Sequence, residues 1–200
     1  MGFFERLALP PDPEPEPDPR PKPAWVKPEN VLPGSLAVDL MLAHTDNAAV
    51  AVTELRAYPT GFTFTLSAVL RHDDRSGLIF DLMNGPRARR DRVTISDEFL
   101  RLGVQFADGT TASNLGMRYP PLDEATPEPP VFITDSGHGG GQRYDMGYWV
   151  WPLPPPGLIT FFCAWPAAGI PESSATIEAA AIHDAAGRAV VLWPDERNDP

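Results

Sequence analysis

Phe62-Thr63-Phe64-Thr65-Leu66-Ser67-Ala68-Val69-Leu70 alternates apolar with small polar or aliphatic residues without a break. Side chains that alternate with a period of two mark a half-buried strand. Phe62, Phe64, Leu66, Ala68 and Leu70 point one way, and Thr63, Thr65, Ser67 and Arg71 the other. Pro59-Thr60-Gly61 just before it is a turn, and Arg71-His72-Asp73-Asp74-Arg75-Ser76-Gly77 just after it is a polar one.

The pattern spreads outward from there. Upstream, Leu36, Val38, Leu40 and Leu42 alternate with Ala37, Asp39 and Met41. Residues 49–58 are β-rich, but their parity slips near Glu54, which predicts a bulge. Downstream, Leu78 to Met83 reads as a short strand or half-turn. Leu100, Leu102, Val104 and Phe106 alternate ahead of the Asp108-Gly109 hairpin signal. Residues 131–134, 144–151, 158–165 and 175–180 supply further strands, and Val190 to Trp193 is expected to finish the core. Residues 182–189 read equally as a hairpin turn or a short helix. Seven to nine short strands without a sustained helix predict an all-β fold, an antiparallel two-sheet sandwich. Immunoglobulin-like connectivity is the first guess, with a jelly roll as the alternative.

The N-terminus follows other rules. From Leu9, proline alternates with Asp, Glu, Arg and Lys through Pro23 and recurs to Pro33. Proline fixes φ and removes amide donors, so this tract predicts an extended polyproline-II arm. An apolar tip, Phe3, Phe4 and Leu7, precedes it and is a candidate docking element. The chain therefore divides into a disordered arm over 1–33, one β domain over 34–194 and a polar tail over 195–200. Deleting residues 1–30 is expected to leave the melting temperature nearly unchanged.

Ala57-Tyr58-Pro59-Thr60-Gly61-Phe62, Trp151-Pro152-Leu153-Pro154-Pro155-Pro156-Gly157 and Leu192-Trp193-Pro194 are landmarks of another kind. With the proline-acid arm, they resemble a family of β-rich bacterial proteins that has no known activity. The resemblance covers most of the chain and implies no functional residue.

A net charge of −11 argues against nucleic acid, because phosphate backbones demand a basic footprint. Residues 146–170 carry no charge, yet the prolines and glycines that interrupt them are incompatible with a membrane span. Cys163 is the sole cysteine, so no internal disulfide can form, and a cytoplasmic location is expected. Scattered histidines offer no metal-ligand spacing, and no cofactor is expected.

Two stretches could carry binding chemistry. Asp135-Ser136-Gly137-His138-Gly139-Gly140-Gly141-Gln142-Arg143 reads as a glycine-rich loop, in which Asp135, Ser136, His138 and Arg143 could hold a polar ligand. Its His-Gly-Gly-Gly string matches the oxyanion loop of some esterases, but no Gly-x-Ser-x-Gly elbow accompanies it. Arg87, Arg89, Arg90 and Arg92 form the single basic run and suit a carboxylate or phosphate. The three Trp-Pro pairs, at 151, 165 and 193, read as plugs at strand ends or as an aromatic groove for proline-rich peptide. The expectation is a non-catalytic cytoplasmic interaction module with a protein partner. A small-ligand-binding protein or hydrolase using residues 135–143 is the alternative.

Overall fold

The computed structural model describes residues 22–72, 95–115, 120 and 126–193. Among them the chain forms eleven strands and one α-helix. The strands are β1 (Val31–Leu32), β2 (Gly34–His44), β3 (Ala48–Ala57), β4 (Phe62–Leu70), β5 (Arg101–Gln105) and β6 (Thr111–Ser113). After these come β7 (Val131–Gly140), β8 (Arg143–Trp151), β9 (Leu158–Trp165), β10 (Ile170–Glu178) and β11 (Val190–Val191). Helix α1 (Ala179–Ala186) settles residues 182–189 mainly as helix.

Three antiparallel sheets result, ordered β2-β3-β4-β8-β7, β10-β9-β5-β6 and β1-β11. The alternation of β4 is realised: Phe62, Phe64, Leu66 and Ala68 are buried in one core with Leu102, Val104, Ile159, Phe161 and Trp165 of the four-stranded sheet. Phe64 of β4 meets Phe161 of β9 edge to face, with ring centroids 5.1 Å apart. The predicted slip near Glu54 is a bulge. Glu54 takes φ 46°, and the β3–β4 register shifts between Thr53 and Leu55. Immunoglobulin domains order their strands ABED and CFG. Here the consecutive strands β2, β3 and β4 are neighbours in one sheet, so that first guess does not describe these strand orders.

Asn114 closes one open sheet edge. Its side chain accepts from the Leu102 amide at 2.9 Å and donates to the Leu100 carbonyl at 2.8 Å, standing in for a strand beside β5. Such substitution lets buried backbone groups stay paired where the ladder ends.

Two expectations need correction. Residues 22–33, assigned to the arm, pack on the body. Trp25 is buried with Tyr58, Val131, Ile133 and Trp149 in a second apolar cluster. Its carbonyl accepts from the Trp149 indole at 2.8 Å, and Lys27 pairs with Asp135. A tryptophan among prolines is still a large apolar surface, and it is covered when a sheet face offers a matching cluster. Deleting residues 1–30 would therefore expose that cluster. Secondly, Val190–Trp193 does not finish the core, since Val190, Val191 and Trp193 are each more than half exposed. Residues 1–21, with Phe3, Phe4 and Leu7, lie outside the described residues. So do the Leu78–Met83 segment and the tail from 194 onward.

Candidate functional site

The face of the five-stranded sheet turned away from the shared core carries a polar row that the register assembles. His138 of β7 lies opposite Asp145 of β8, and Asp145 opposite Ser67 of β4. Ser67 donates to Asp145, while the Arg143 guanidinium reaches both Asp145 oxygens at 2.9 and 3.1 Å. Ser67 Oγ accepts from Arg143 Nη2 at 3.0 Å, and Thr53 Oγ1 of β3 lies 3.2 Å away. His138 Nε2 stands 3.8 Å from the carboxylate.

Burial works against the charge on Asp145. Hydrogen bonds from Arg143 and Ser67, with the charges of Arg143 and His138, outweigh it and hold the carboxyl below the usual aspartate range. The bond to Asp145 correspondingly raises Arg143.

This geometry limits the chemistry. In a serine-nucleophile triad the imidazole lies between hydroxyl and carboxylate and takes the serine proton. Here the carboxylate is in the middle, His138 does not touch Ser67, and the lowered pKa makes Asp145 a weaker base. What the row does is tie β3, β4, β7 and β8 together. Because the folded pKa lies below the unfolded one, its stabilisation is full above the ordinary value near 3.8 and is lost as pH falls through the lower, folded value. Asp145→Asn should cost about 1–2 kcal/mol at neutral pH, reduced from a fully buried charged bond by the exposure of Arg143. Thermal melts should show the gap between this variant and the native protein closing once the pH drops below that range. A gap independent of pH would remove the ionic basis of the row.

The nine residues from Asp135 to Arg143 are not a loop. Residues up to Gly140 are strand, Gly141-Gln142 form the hairpin turn with Gly141 at φ 62°, and Arg143 opens β8. The glycines answer to packing: a Cβ at Gly137 would overlap the Tyr144 hydroxyl, and one at Gly139 the backbone of Arg143. The fold thus brings His138 and Arg143 together, ties Asp135 to Lys27 and leaves Ser136 facing Gly147 across the ladder. Ser67, Thr53 and Asp145 join them without having been singled out. Their signal was parity: Ser67 lies on the polar side of β4, and Asp145 is a lone acid in an apolar strand. Arg87, Arg89, Arg90 and Arg92 lie outside the described residues. Among the described residues no cluster of three His, Cys, Asp or Glu side chains could hold a metal. Cys163 is buried, and burial pushes its thiol up to about 11, away from nucleophilic use.

A groove of about 470 Å³ opens between β6 and β7, lined by Val104, Ala112, Pro130, Phe132 and Phe162. None of Asp135, Ser136, His138 or Arg143 lines it.

The third sheet is a different kind of surface. In β1–β11, Val31 pairs with Val191 and Leu32 with Val190. The ribbon is extended by the Leu192 amide bonding to the Asn30 carbonyl at 2.8 Å and by Asn30 Nδ2 donating to the Trp193 carbonyl at 2.8 Å. Pro33, lacking an amide, ends β1. Val31 faces the Trp25 cluster, but Leu32 is 55% exposed, Val190 55%, Val191 52%, Leu192 38% and Trp193 68%. Arg188, just before β11, donates only to the carbonyls of Asp184 and Ser35; among the described residues no carboxylate pairs with it. Trp165, by contrast, is wholly buried, and Trp151 lies partly buried against the Trp25 cluster.

No helix among the described residues is long and apolar enough to cross a membrane. No protein-family model, curated protein or solved structure matches the chain.

Proposed function

We propose that this chain is a two-sheet β-sandwich acting as a non-catalytic protein-interaction module, and that its docking face is the β1–β11 ribbon. The shared core of the two larger sheets supports the sandwich. The docking reading is carried by one observation: five large apolar side chains, Leu32, Val190, Val191, Leu192 and Trp193, stand exposed together on a ribbon that pairs with neither larger sheet. Scattered exposed apolar residues are ordinary, whereas contiguous ones mark interaction surfaces. Tryptophan is also the residue type most often found to anchor an interface. The position of Asp145 between Ser67 and His138 supports a structural rather than a hydrolytic role for the neighbouring polar row. A cytoplasmic location belongs to the same reading and is supported by a single cysteine, buried as a thiol.

Photocrosslinking tests the face. Trp193→benzoylphenylalanine should give a discrete, saturable protein adduct that Leu32→Ser abolishes. Met41, equally large and 55% exposed but isolated on β2, is the control position and should give none. Adducts at neither position, or equally at both, would remove the ribbon as a docking face.

A further inference from the structure

Resting on the ribbon as docking face, we infer that its occupant is the apolar tip Phe3, Phe4 and Leu7 of a second copy of this chain. The position of the arm's root leads to this. Lys22, the first described residue, pairs with Glu29, whose neighbour Asn30 bonds to the Trp193 carbonyl. Residues 1–21 therefore leave the body beside the ribbon.

Their sequence then decides where the tip can go. Prolines at 10, 11, 13, 15, 17, 19 and 21 favour extension. A semi-rigid tract at about 3.1 Å per residue spans roughly 40 Å between Leu9 and Lys22. That distance carries the tip away from the ribbon next to its own root and into reach of a neighbouring molecule's. The chemistries match in two respects. Phe3, Phe4 and Leu7 are aromatic and aliphatic partners for Trp193, Leu32 and Val190. Asp12, Glu14, Glu16 and Asp18 follow the tip and supply carboxylates to Arg188, which meets only carbonyls in its own chain. Mutual exchange of arms closes a two-fold pair in which each copy gives a tip and receives one.

Sedimentation equilibrium of the full chain tests this. The native chain should dimerise, and Trp193→Ser and the double change Phe3→Ser/Phe4→Ser should each weaken association at least about tenfold. Circular dichroism should show both variants folded, since Trp193 is exposed. Mixing the two variants should restore association between them, because one keeps a tip and the other a ribbon. A native chain that stays monomeric at every concentration overturns the inference, as does a dimer that survives Phe3→Ser/Phe4→Ser. A monomer whose Trp193 fluorescence responds to Phe3→Ser/Phe4→Ser would place the tip on its own ribbon and also overturn it. If Trp193→Ser alone breaks the dimer, or position 193 crosslinks a different polypeptide, the tip is the wrong occupant while the ribbon keeps its role. Loss of neither defeats both.

Discussion

Trp25→Ala is expected to destabilise the protein by about 3–5 kcal/mol, the usual range for truncating a fully buried tryptophan. Trp25 is only 2% exposed although prolines flank it at 21, 23 and 28. Its ring is enclosed by Tyr58, Val131, Ile133 and Trp149, on a sheet face that is otherwise polar toward β4. The loss also releases the segment that carries it. The Trp149 indole keeps its acceptor only while residue 25 stays seated, because that acceptor is the Trp25 carbonyl. Trp149 is itself buried, so a detached segment would strand a donor in an apolar cluster, which adds to the cost. Trp25→Phe separates these contributions. The Trp25 indole nitrogen has no hydrogen-bond partner, so phenylalanine removes an unsatisfied donor while keeping most of the apolar area. Its cost should stay near 1 kcal/mol. Urea unfolding at neutral pH measures both. An alanine variant within about 1 kcal/mol of native would mean that residues 22–33 merely rest on the sheet. The native segment should also protect the Trp149 indole from hydrogen exchange, and the alanine variant should expose it.

What the sequence could reveal depended on whether the deciding interaction was local. Strand β4 was legible because alternation is read within one segment, and burial of Phe62, Phe64 and Leu66 followed from it. The Glu54 bulge was legible for the same reason, since a parity slip is a local event. Trp25 was hidden because proline spacing speaks about backbone freedom, not about which side chain finds a cavity. Val190–Trp193 misled in the opposite direction: apolar residues signal a preference for burial, but whether a strand lies against the core depends on its partner. Here that partner is β1, at the far end of the chain. The glycines of 137–141 looked like a loop because glycine is rare in strands. Their cause, the Tyr144 side chain crossing Gly137, is set by cross-strand register. Ser67 and Asp145 are 78 residues apart, and only the β4–β8 pairing makes them neighbours.

Phe64→Ala should cost at least as much as Trp25→Ala, about 4–5 kcal/mol, because its ring holds the two larger sheets together. Phe64 is 1% exposed and lies within 5.1 to 6.4 Å of the ring centroids of Phe161, Tyr148, Phe132 and Phe62. Three of these belong to its own sheet, and Phe161 belongs to the other. Alanine would leave a void bounded by rings that stack on each other, Phe132 on Tyr148 at 4.9 Å, and are poorly placed to collapse into it. Phe64→Leu fills much of the space but loses the edge-to-face contact, so its cost should fall to about 1–2 kcal/mol. The sheet-to-sheet share can be isolated by a double-mutant cycle on Phe64 and Phe161, with leucine at each position. A coupling of about 0.5–1.5 kcal/mol is expected for an aromatic pair in contact. Pairing Phe64 with exposed Met41 in the same way should give none. Zero coupling to Phe161, with a small effect of Phe64→Ala, would separate the sheets energetically. The sandwich would then lose its physical basis, and the ribbon would no longer rest on one rigid body.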